Sequence, residues 1–400
     1  MAANLCVYAA LASVGFMTDA TVEFYVSVPD STPKDAVVYL SGSHPATGTW
    51  QQPGMPLQRL DDGRHHLVVK LPAGTSLEYK LTLGGWATVE KSRTGADIAN
   101  RRLNVGGPAK VEVTVESWAR PSSDSPASSV QRPEPKLSGV IQYHRDFESK
   151  RLGNKRTIVV YLPSEYESKT ASKKRYPVLY MHDGQNLFDA STSFLGIEWG
   201  ADEAAEKLVK SGKIDPLIIV GIYNTPERMN EYTPDRDKGR GGGGIGDLYA
   251  KFLVEEVKPF IDKTYRTRPG REYTGVAGSS LGGLISLYIC RAYPDTFSRC
   301  GVISPALMGN DGAFLKSIES DPSWMKRTRF WVDMGTKEGR QVAGFNQGIA
   351  RTRKLVKIFE SAGLKEGRDF AYREVEGGEH NEAAWNARCP EILEFLYSKG

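Results

Sequence analysis

Residues 119–136 read Ala-Arg-Pro-Ser-Ser-Asp-Ser-Pro-Ala-Ser-Ser-Val-Gln-Arg-Pro-Glu-Pro-Lys, and no other stretch constrains the fold as much. Serine and proline at this density offer no apolar face to bury, so the segment is expected to be a semi-extended linker. The chain on either side must then build separate cores, one over 21–118 and one over 137–400. A length of 400 residues agrees, since it exceeds what a single core usually holds. Hydrophobic residues at 40% supply enough apolar surface for both cores. The formal net charge of +4 is small and no lysine- or arginine-rich run stands out, so nucleic acid is not expected as a partner.

Residues 1–20 stand apart. An apolar stretch from Leu5 to Met17, with small residues at Ala9, Ala10, Ala12 and Ser13, suits a secretory leader, although only the amino terminus supplies positive charge ahead of it. The expectation is a secreted or periplasmic protein, with a cytoplasmic one, in which this stretch is a buried strand or helix, as the alternative. No other run reaches the ~18 apolar residues of a membrane span, so no membrane partner is expected. The four cysteines, at 6, 290, 300 and 389, have neither zinc-site spacing nor the density of a disulfide scaffold, and buried thiols are expected.

Within 21–118, strands are expected at 22–28, 35–40, 65–71, 77–83 and 110–115, separated by turns such as Asp61-Asp62-Gly63 and Pro72-Ala73-Gly74. That spacing predicts a small all-β sandwich. Beyond 137 the pattern changes. Short apolar or β-branched runs at 157–162, 177–182, 217–222, 273–277, 300–304, 329–334 and 370–375 alternate with helical patterns at 199–211, 246–265, 281–292, 341–362 and 390–398. Such alternation predicts an α/β domain with a mostly parallel sheet covered by helices on both faces. Reactive groups in such domains gather beyond the carboxyl ends of the strands.

One strand runs into Gly278-Ser279-Ser280-Leu281-Gly282, a G-x-S-x-G pentapeptide. Small neighbours leave room for a tight strand-to-helix turn that lifts a serine hydroxyl into the open, which makes Ser280 the candidate nucleophile and Leu281 N–H an oxyanion donor. Acyl transfer also needs a base and a group to orient it, in the order Ser, acid, His. Of the six histidines only His380 follows Ser280, in the glycine-flexed loop 376–381. Glu338, in the turn after the 329–334 strand, is the preferred acid, with Asp333 inside that strand as runner-up. The turn after an early strand, His182-Asp183-Gly184-Gln185-Asn186, is expected to add a second oxyanion donor from Gly184 or Gln185. Asp183, Arg228, Glu231 and Tyr232 are candidate pocket residues, with an Arg228–Glu231 structural pair as the alternative. No His or Cys stands at ligand spacing from His182, so no metal is expected. The glycine-rich stretch 239–247 lacks a Gly-Lys-Ser/Thr ending and is expected to be a mobile loop over the cleft.

Two resemblances follow from these motifs. Val38-Tyr39-Leu40-Ser41-Gly42-Ser43, Thr47-Gly48-Thr49-Trp50, Leu77-Glu78-Tyr79-Lys80, Val89-Glu90 and Asn100-Arg101 resemble the skeleton of starch-binding domains of carbohydrate-binding module family 20 and their immunoglobulin-like relatives. The resemblance implies a sugar platform of Trp50, Lys80 and Trp86, with Val89 standing where such modules carry a tryptophan. Residues ~140–398 resemble the esterase D group of α/β-hydrolases, which includes enterochelin esterases and carbohydrate esterase family 1 feruloyl and acetylxylan esterases. The motifs are Tyr161-Leu162-Pro163, 176–184, Arg228 with Glu231-Tyr232, 278–283, Tyr293-Pro294-Asp295 with Phe297, Ser304-Pro305-Ala306, 335–339 and His380. This implies a cofactor-free serine esterase, acting on carbohydrate-linked feruloyl or acetyl esters or on a siderophore or other small-molecule ester. A non-catalytic glycan-binding protein with a relic hydrolase domain is the reading from another class.

Overall fold

The computed structural model describes residues 19–33, 36–48, 50, 54–96, 98–119, 137–193, 197–225, 227–235, 243–307, 313–338, 341–342 and 345–399. The leader expectation, apart from Asp19 and Ala20, and the linker expectation, apart from Ala119, lie outside the described residues, as does 239–242 of the glycine run. The chain divides into two compact units, Met1–Ser129 and Val130–Gly400.

The first unit is a β-sandwich. Gln58–Arg59, His65–Pro72, Asp19–Ser27 and Ala109–Thr114 form one sheet in that spatial order; Met55–Pro56, Tyr39–Gly42, Ser76–Thr82 and Arg101–Asn104 form the other. Asp19–Ser27 turns Ala20, Val22, Phe24 and Val26 inward, the period-2 pattern of a half-buried strand. These residues share one core with Leu40, Leu77 and Leu81 of the opposite sheet, and Phe24 meets Tyr79 edge-on at 5.1 Å. The strand expected at 35–40 is shorter, Tyr39–Gly42, and Arg101–Asn104 was not anticipated. Its Arg-Arg-Leu-Asn sequence hides the strand because its polar groups are used in place of apolar ones: Arg101 pairs with the buried Glu90 at 2.8 Å.

The second unit is an α/β-hydrolase fold. Its strands are β1 (Val140–Glu148), β2 (Lys155–Leu162), β3 (Val178–His182), β4 (Ile218–Ile222), β5 (Thr274–Ser279), β6 (Arg299–Ile303), β7 (Arg329–Gly335) and β8 (Phe370–Val375). They form one sheet in the order β1-β2-β4-β3-β5-β6-β7-β8, antiparallel at β1/β2 and β2/β4 and parallel elsewhere. Every residue of β3, β4 and β5 is buried, as expected of central parallel strands covered on both faces. Tyr180, Val220, Val276 and Val332 pack on one face with Tyr249, Leu253, Ile285 and Phe359. Leu179, Ile219, Ala277 and Trp331 pack on the other with Leu208, Ile392 and Leu396. The edge strand β1 was not anticipated, because Gln142, His144, Arg145 and Asp146 break its apolar period.

The helices that matter to the site are α1 (Ala201–Lys210), α2 (Leu281–Ala292), α3 (Gln347–Ser361) and α4 (Glu382–Tyr397). The helix expected from 341 begins later, where the Asn346 side chain accepts from Ile349 N at 3.0 Å. The helix expected from 390 begins earlier, where Asn381 accepts from Ala384 N at 2.9 Å, and it carries Pro390 inside it. Proline at a first helical turn is a fair starting signal. Here the cap at Asn381 outweighs it, and the extra turns bring Glu382, Trp385 and Arg388 against the site.

Candidate active site

Ser280 occupies the junction of β5 and α2 with φ 59° and ψ −121°. A non-glycine residue in this region carries about 1–3 kcal/mol of strain, which the surroundings must hold. Three backbone bonds do so: Ser280 N donates to Ile303 O at 3.0 Å, and Leu284 N and Ala306 N donate to Ser280 O at 3.2 and 3.0 Å. The flanking glycine is needed for closeness. A Cβ on Gly278 would stand 2.9 Å from Gly282 C. Leu281, the first residue of α2, has an N–H with no acceptor inside its own helix.

The turn after β3 lies beside this helix start, since a Cβ on Gly282 would stand 3.3 Å from His182 Cβ and 3.5 Å from Asp183 Oδ2. Asp183 is left-handed at φ 56° and opens the short 3-10 turn Gly184–Asn186. Gly184 must be small, because a Cβ there would meet Gly221 C at 2.5 Å. Gln185 Oε1 accepts from Asn224 N at 3.2 Å, so the side chain faces β4 and its loop. The N–H groups of Gly184 and Gln185 open the turn, where 3-10 geometry provides no internal acceptor.

Asp183 anchors the turn. Arg228 donates to both carboxylate oxygens at 2.7 Å each, and Asn224 Nδ2 donates to Oδ1 at 2.7 Å. Burial alone would raise the Asp183 carboxyl, but the Arg228 charge and these donors overcome it and hold it below the usual range. His182 behind it is buried, which pushes it down to about 3, so the ring is neutral; Nδ1 lies 2.9 Å from Tyr249 OH. Two pocket expectations are corrected here. Glu231 is fully buried and paired with Arg156 at 2.6 and 2.9 Å, not with Arg228, and Asn154 Nδ2 adds a bond at 2.9 Å. Tyr232 is also fully buried, its hydroxyl accepting from Asp183 N at 3.3 Å. Tyr232 supports the turn from behind and Glu231 is held by Asn154 and Arg156 instead, so both are enclosed, whereas Arg228 keeps 29% of its side chain exposed.

On the opposite side of Ser280, the structure brings Glu338 and His380 together. Both follow the carboxyl ends of adjacent strands, β7 and β8. Glu338 Oε2 lies 2.7 Å from His380 Nδ1, while Oε1 accepts from Gly335 N at 2.9 Å and from Ser304 Oγ at 2.8 Å. Glu338 is 1% exposed, and His380 has 44% of its side chain exposed, with its ring edge-on to Trp385 at 5.1 Å. Asp333, the runner-up acid, is occupied elsewhere. It accepts from Trp331 Nε1 at 2.6 Å and from Arg388 Nε and a terminal guanidinium nitrogen at 3.1 and 3.0 Å. Burial raises the Asp333 carboxyl even against these donors. Among the described residues no hydrogen bond joins Ser280 Oγ to His380 Nε2. Hydrogen bonds of this kind are often long in ligand-free hydrolases and tighten with substrate.

Sequence reasoning missed Asn224, Trp385 and Arg388, and it treated Ser304 as a motif residue without a contact. A helix read back from Pro390 to Asn381 would have placed Glu382, Trp385 and Arg388 along one face. In the first unit, the Trp50 and Trp86 rings lie 6.2 Å apart at 41° to one another. Lys80, expected beside them, is corrected: it is 7% exposed with its ammonium on the Ile98 carbonyl, so its charge is spent inside the sandwich.

The strand order, the strained serine at the β5–α2 junction and the carboxylate–imidazole pair define an α/β-hydrolase. Residues 149–396 match the Esterase family, described as "Putative esterase", and the chain belongs to that family; it is a carboxylic ester hydrolase. An endo-1,4-beta-xylanase/feruloyl esterase of Xylanibacter ruminicola is 30% identical over 249 residues, 62% of this chain and 30% of that enzyme. The N-terminal region is similar to an alpha-amylase of Niallia circulans, 48% identical over 101 residues, 24% of this chain and 8% of the amylase. The chain therefore spans less than a third of either relative. A solved ferulic acid esterase shares the fold with a TM-score of 0.51 at 20% identity, over 65% of this chain and 99% of that one.

Proposed function

We propose that this esterase works through Ser280, His380 and Glu338 on esters carried by polysaccharides, with feruloyl or acetyl groups as the acyl part. The single observation that carries the mechanism is the 2.7 Å contact of buried Glu338 with His380 Nδ1, in the same sheet as a serine held at φ 59° beyond the end of β5. Ser280 Oγ attacks the ester carbonyl carbon while His380 Nε2 takes its proton. Glu338 holds the imidazole by Nδ1 and stabilises the imidazolium. Leu281 N–H and an N–H of the Gly184–Gln185 turn receive the oxyanion. The tetrahedral intermediate collapses, His380 returns the proton to the leaving alkoxide, and water releases the acid by the reverse sequence.

The substrate class rests on the first unit. Paired tryptophan faces suit the apolar faces of pyranose rings, and the N-terminal likeness to an alpha-amylase beside an esterase related to a xylanase/feruloyl esterase favours a glycan-linked ester. Export by a leader at 1–20 belongs to the same reading, and amino-terminal sequencing of the mature protein tests it. For the chemistry, Ser280→Ala should abolish hydrolysis of nitrophenyl acetate and labelling by a fluorophosphonate while the protein stays folded; turnover at the parent rate would refute the mechanism. For the substrate, methyl ferulate, acetylated xylan and a catecholate siderophore ester should be compared. Trp50→Ala with Trp86→Ala should weaken action on the polymer and spare methyl ferulate, and preference for the siderophore ester would replace the glycan reading.

A further inference from the structure

Beneath Glu338 lies a buried polar group that the reaction as written does not use. Arg388 of α4 is 5% exposed and reaches inward to Asp333, Ser304 and Glu338. One of its terminal nitrogens lies 2.6 Å from Ser304 Oγ, 3.0 Å from Asp333 Oδ1 and 3.4 Å from Glu338 Oε1. Trp385 Nε1, one turn earlier on the same helix, donates to Ser304 Oγ at 3.0 Å. Ser304 follows β6 in a left-handed conformation, φ 42°, which turns its hydroxyl into this group.

The hydrogen-bond directions are determined by what each group has to give. A guanidinium and an indole can only donate, so Ser304 Oγ accepts from both. A hydroxyl has one hydrogen, and Glu338 Oε1 at 2.8 Å is its nearest acceptor. Glu338 Oε1 is then saturated by Ser304, Gly335 N–H and Arg388, and Oε2 is the atom left for His380. The carboxylate cannot rotate without breaking several bonds at once.

Charge points the same way. Two carboxylates, Asp333 and Glu338, are fully buried, and among the described residues Arg388 is the one guanidinium bridging both. When both carboxylates are ionised the group carries one net negative charge, enough for one imidazolium. The ionisable groups facing it are Asp333 from β7, Glu338 from the loop after β7, His380 from the loop after β8 and Arg388 from α4; Ser304 and Trp385 are neutral. Glu382, on the first turn of α4 and two residues from His380, is the next carboxylate on that helix face and accepts from Asn186 Nδ2 at 3.2 Å.

We propose that Arg388 is a positioning residue of this hydrolase, acting through Ser304 and Glu338 to hold the carboxylate edge that meets His380 and to limit the buried charge there to one. This rests on the Ser280–His380–Glu338 reading. Replacing Arg388 by methionine leaves the carboxylates unbalanced, so the imidazolium is favoured and the acid limb of kcat/KM should move to higher pH by about half a unit or more. Loss of the Ser304 donor should lower kcat/KM by about tenfold as well.

The test is the pH profile of methyl ferulate or nitrophenyl acetate hydrolysis by the full chain, from about pH 5 to pH 9, with circular dichroism as the check on folding. Arg388→Met should shift the limb upward. Arg388→Met combined with Asp333→Asn removes one charge of each sign and should bring the limb back to the parent position at a lowered rate. Arg388→Lys keeps the charge but not the fork, and should keep the parent limb with kcat/KM lowered about tenfold. If Arg388→Met does not fold, the double variant and Arg388→Lys decide by these same expectations. An unmoved limb in folded Arg388→Met, whatever its rate, overturns the proposal, as does a shifted limb in the double variant or a parent rate in Arg388→Lys. Should Ser280→Ala and Glu338→Gln turn over substrate like the parent, the triad reading fails first. If those two are inactive while the Arg388 variants behave like the parent, only the role of Arg388 falls.

Discussion

Ser280 stands between two carboxylate–arginine groups that are built differently. On the β3 side one carboxylate, Asp183, meets one guanidinium, Arg228, through two bonds of 2.7 Å, and the charges cancel. On the β7 side two carboxylates, Asp333 and Glu338, share Arg388, and one negative charge is left over when both are ionised. A balanced pair suits a turn proposed to aim backbone N–H groups, because a fixed geometry is needed for that and a net charge is not. In the proposed mechanism an unbalanced group suits the side where a proton would arrive on an imidazole, because the imidazolium would then have a partner waiting in low dielectric. Neither pair need add stability over apolar replacements, since burying charge is costly.

Breaking the unbalanced side at its centre should have the largest effect. Glu338→Gln is expected to lower kcat/KM by about 10³- to 10⁴-fold with the fold intact, since the amide cannot hold the imidazole in the same tautomer and charge state; steady-state kinetics on methyl ferulate measures it. The balanced side should be less sensitive. Asp183→Asn frees Arg228 and loosens the turn, lowering kcat by about 10²-fold through misaimed N–H donors, and a parent kcat would show that the turn needs no anchor.

The floor under Ser280 joins the two sides. Gly278→Ala forces a Cβ to within 2.9 Å of Gly282 C, so overpacking of about 1–3 kcal/mol should appear as a lower melting temperature, with activity falling alongside. The smallest effect belongs to Glu382, which bonds Asn186 of the β3-side turn from the helix that carries Arg388. Burial raises its carboxyl from 4.5 to about 7, so its neutral form is favoured in the folded state. That contribution to stability is complete below about pH 4.5 and is lost as pH rises through about 7. Glu382→Gln should therefore flatten the fall in melting temperature between those values, and an unchanged slope in a calorimetric pH series would remove Glu382 from the account.

Much of the site was legible before the fold was known. The pentapeptide at 278–282 marks a turn because glycines tolerate the contacts such a turn imposes, and His380 is singled out by chain order alone. The strands β3 to β7 announce themselves as apolar runs because both of their faces are covered, and the edge strand β8 does so only at Phe370 and Ala371, with Arg373 and Glu374 exposed. Elements satisfied by polar partners did not announce themselves: β1 has a mixed pattern, and Arg101–Asn104 relies on Arg101 and Glu90. Lys80 and Glu231 show the converse error. Charged residues were read as surface groups, yet both are buried with partners.

Sequence by itself determined what depends on neighbours in the chain: two units divided by a proline- and serine-rich stretch, the alternation that makes a parallel sheet, and the serine turn. These follow from local backbone freedom and apolar periodicity, which act over a few residues. Tertiary structure decided which charge meets which. Glu338 rather than Asp333 reaches His380, and Arg228 takes Asp183 instead of Glu231 three residues away. Arg388 meets Asp333 across 55 residues of sequence. Long polar side chains choose partners by the cost of being buried without one, and that cost exists only once the sheet and helices have closed around them.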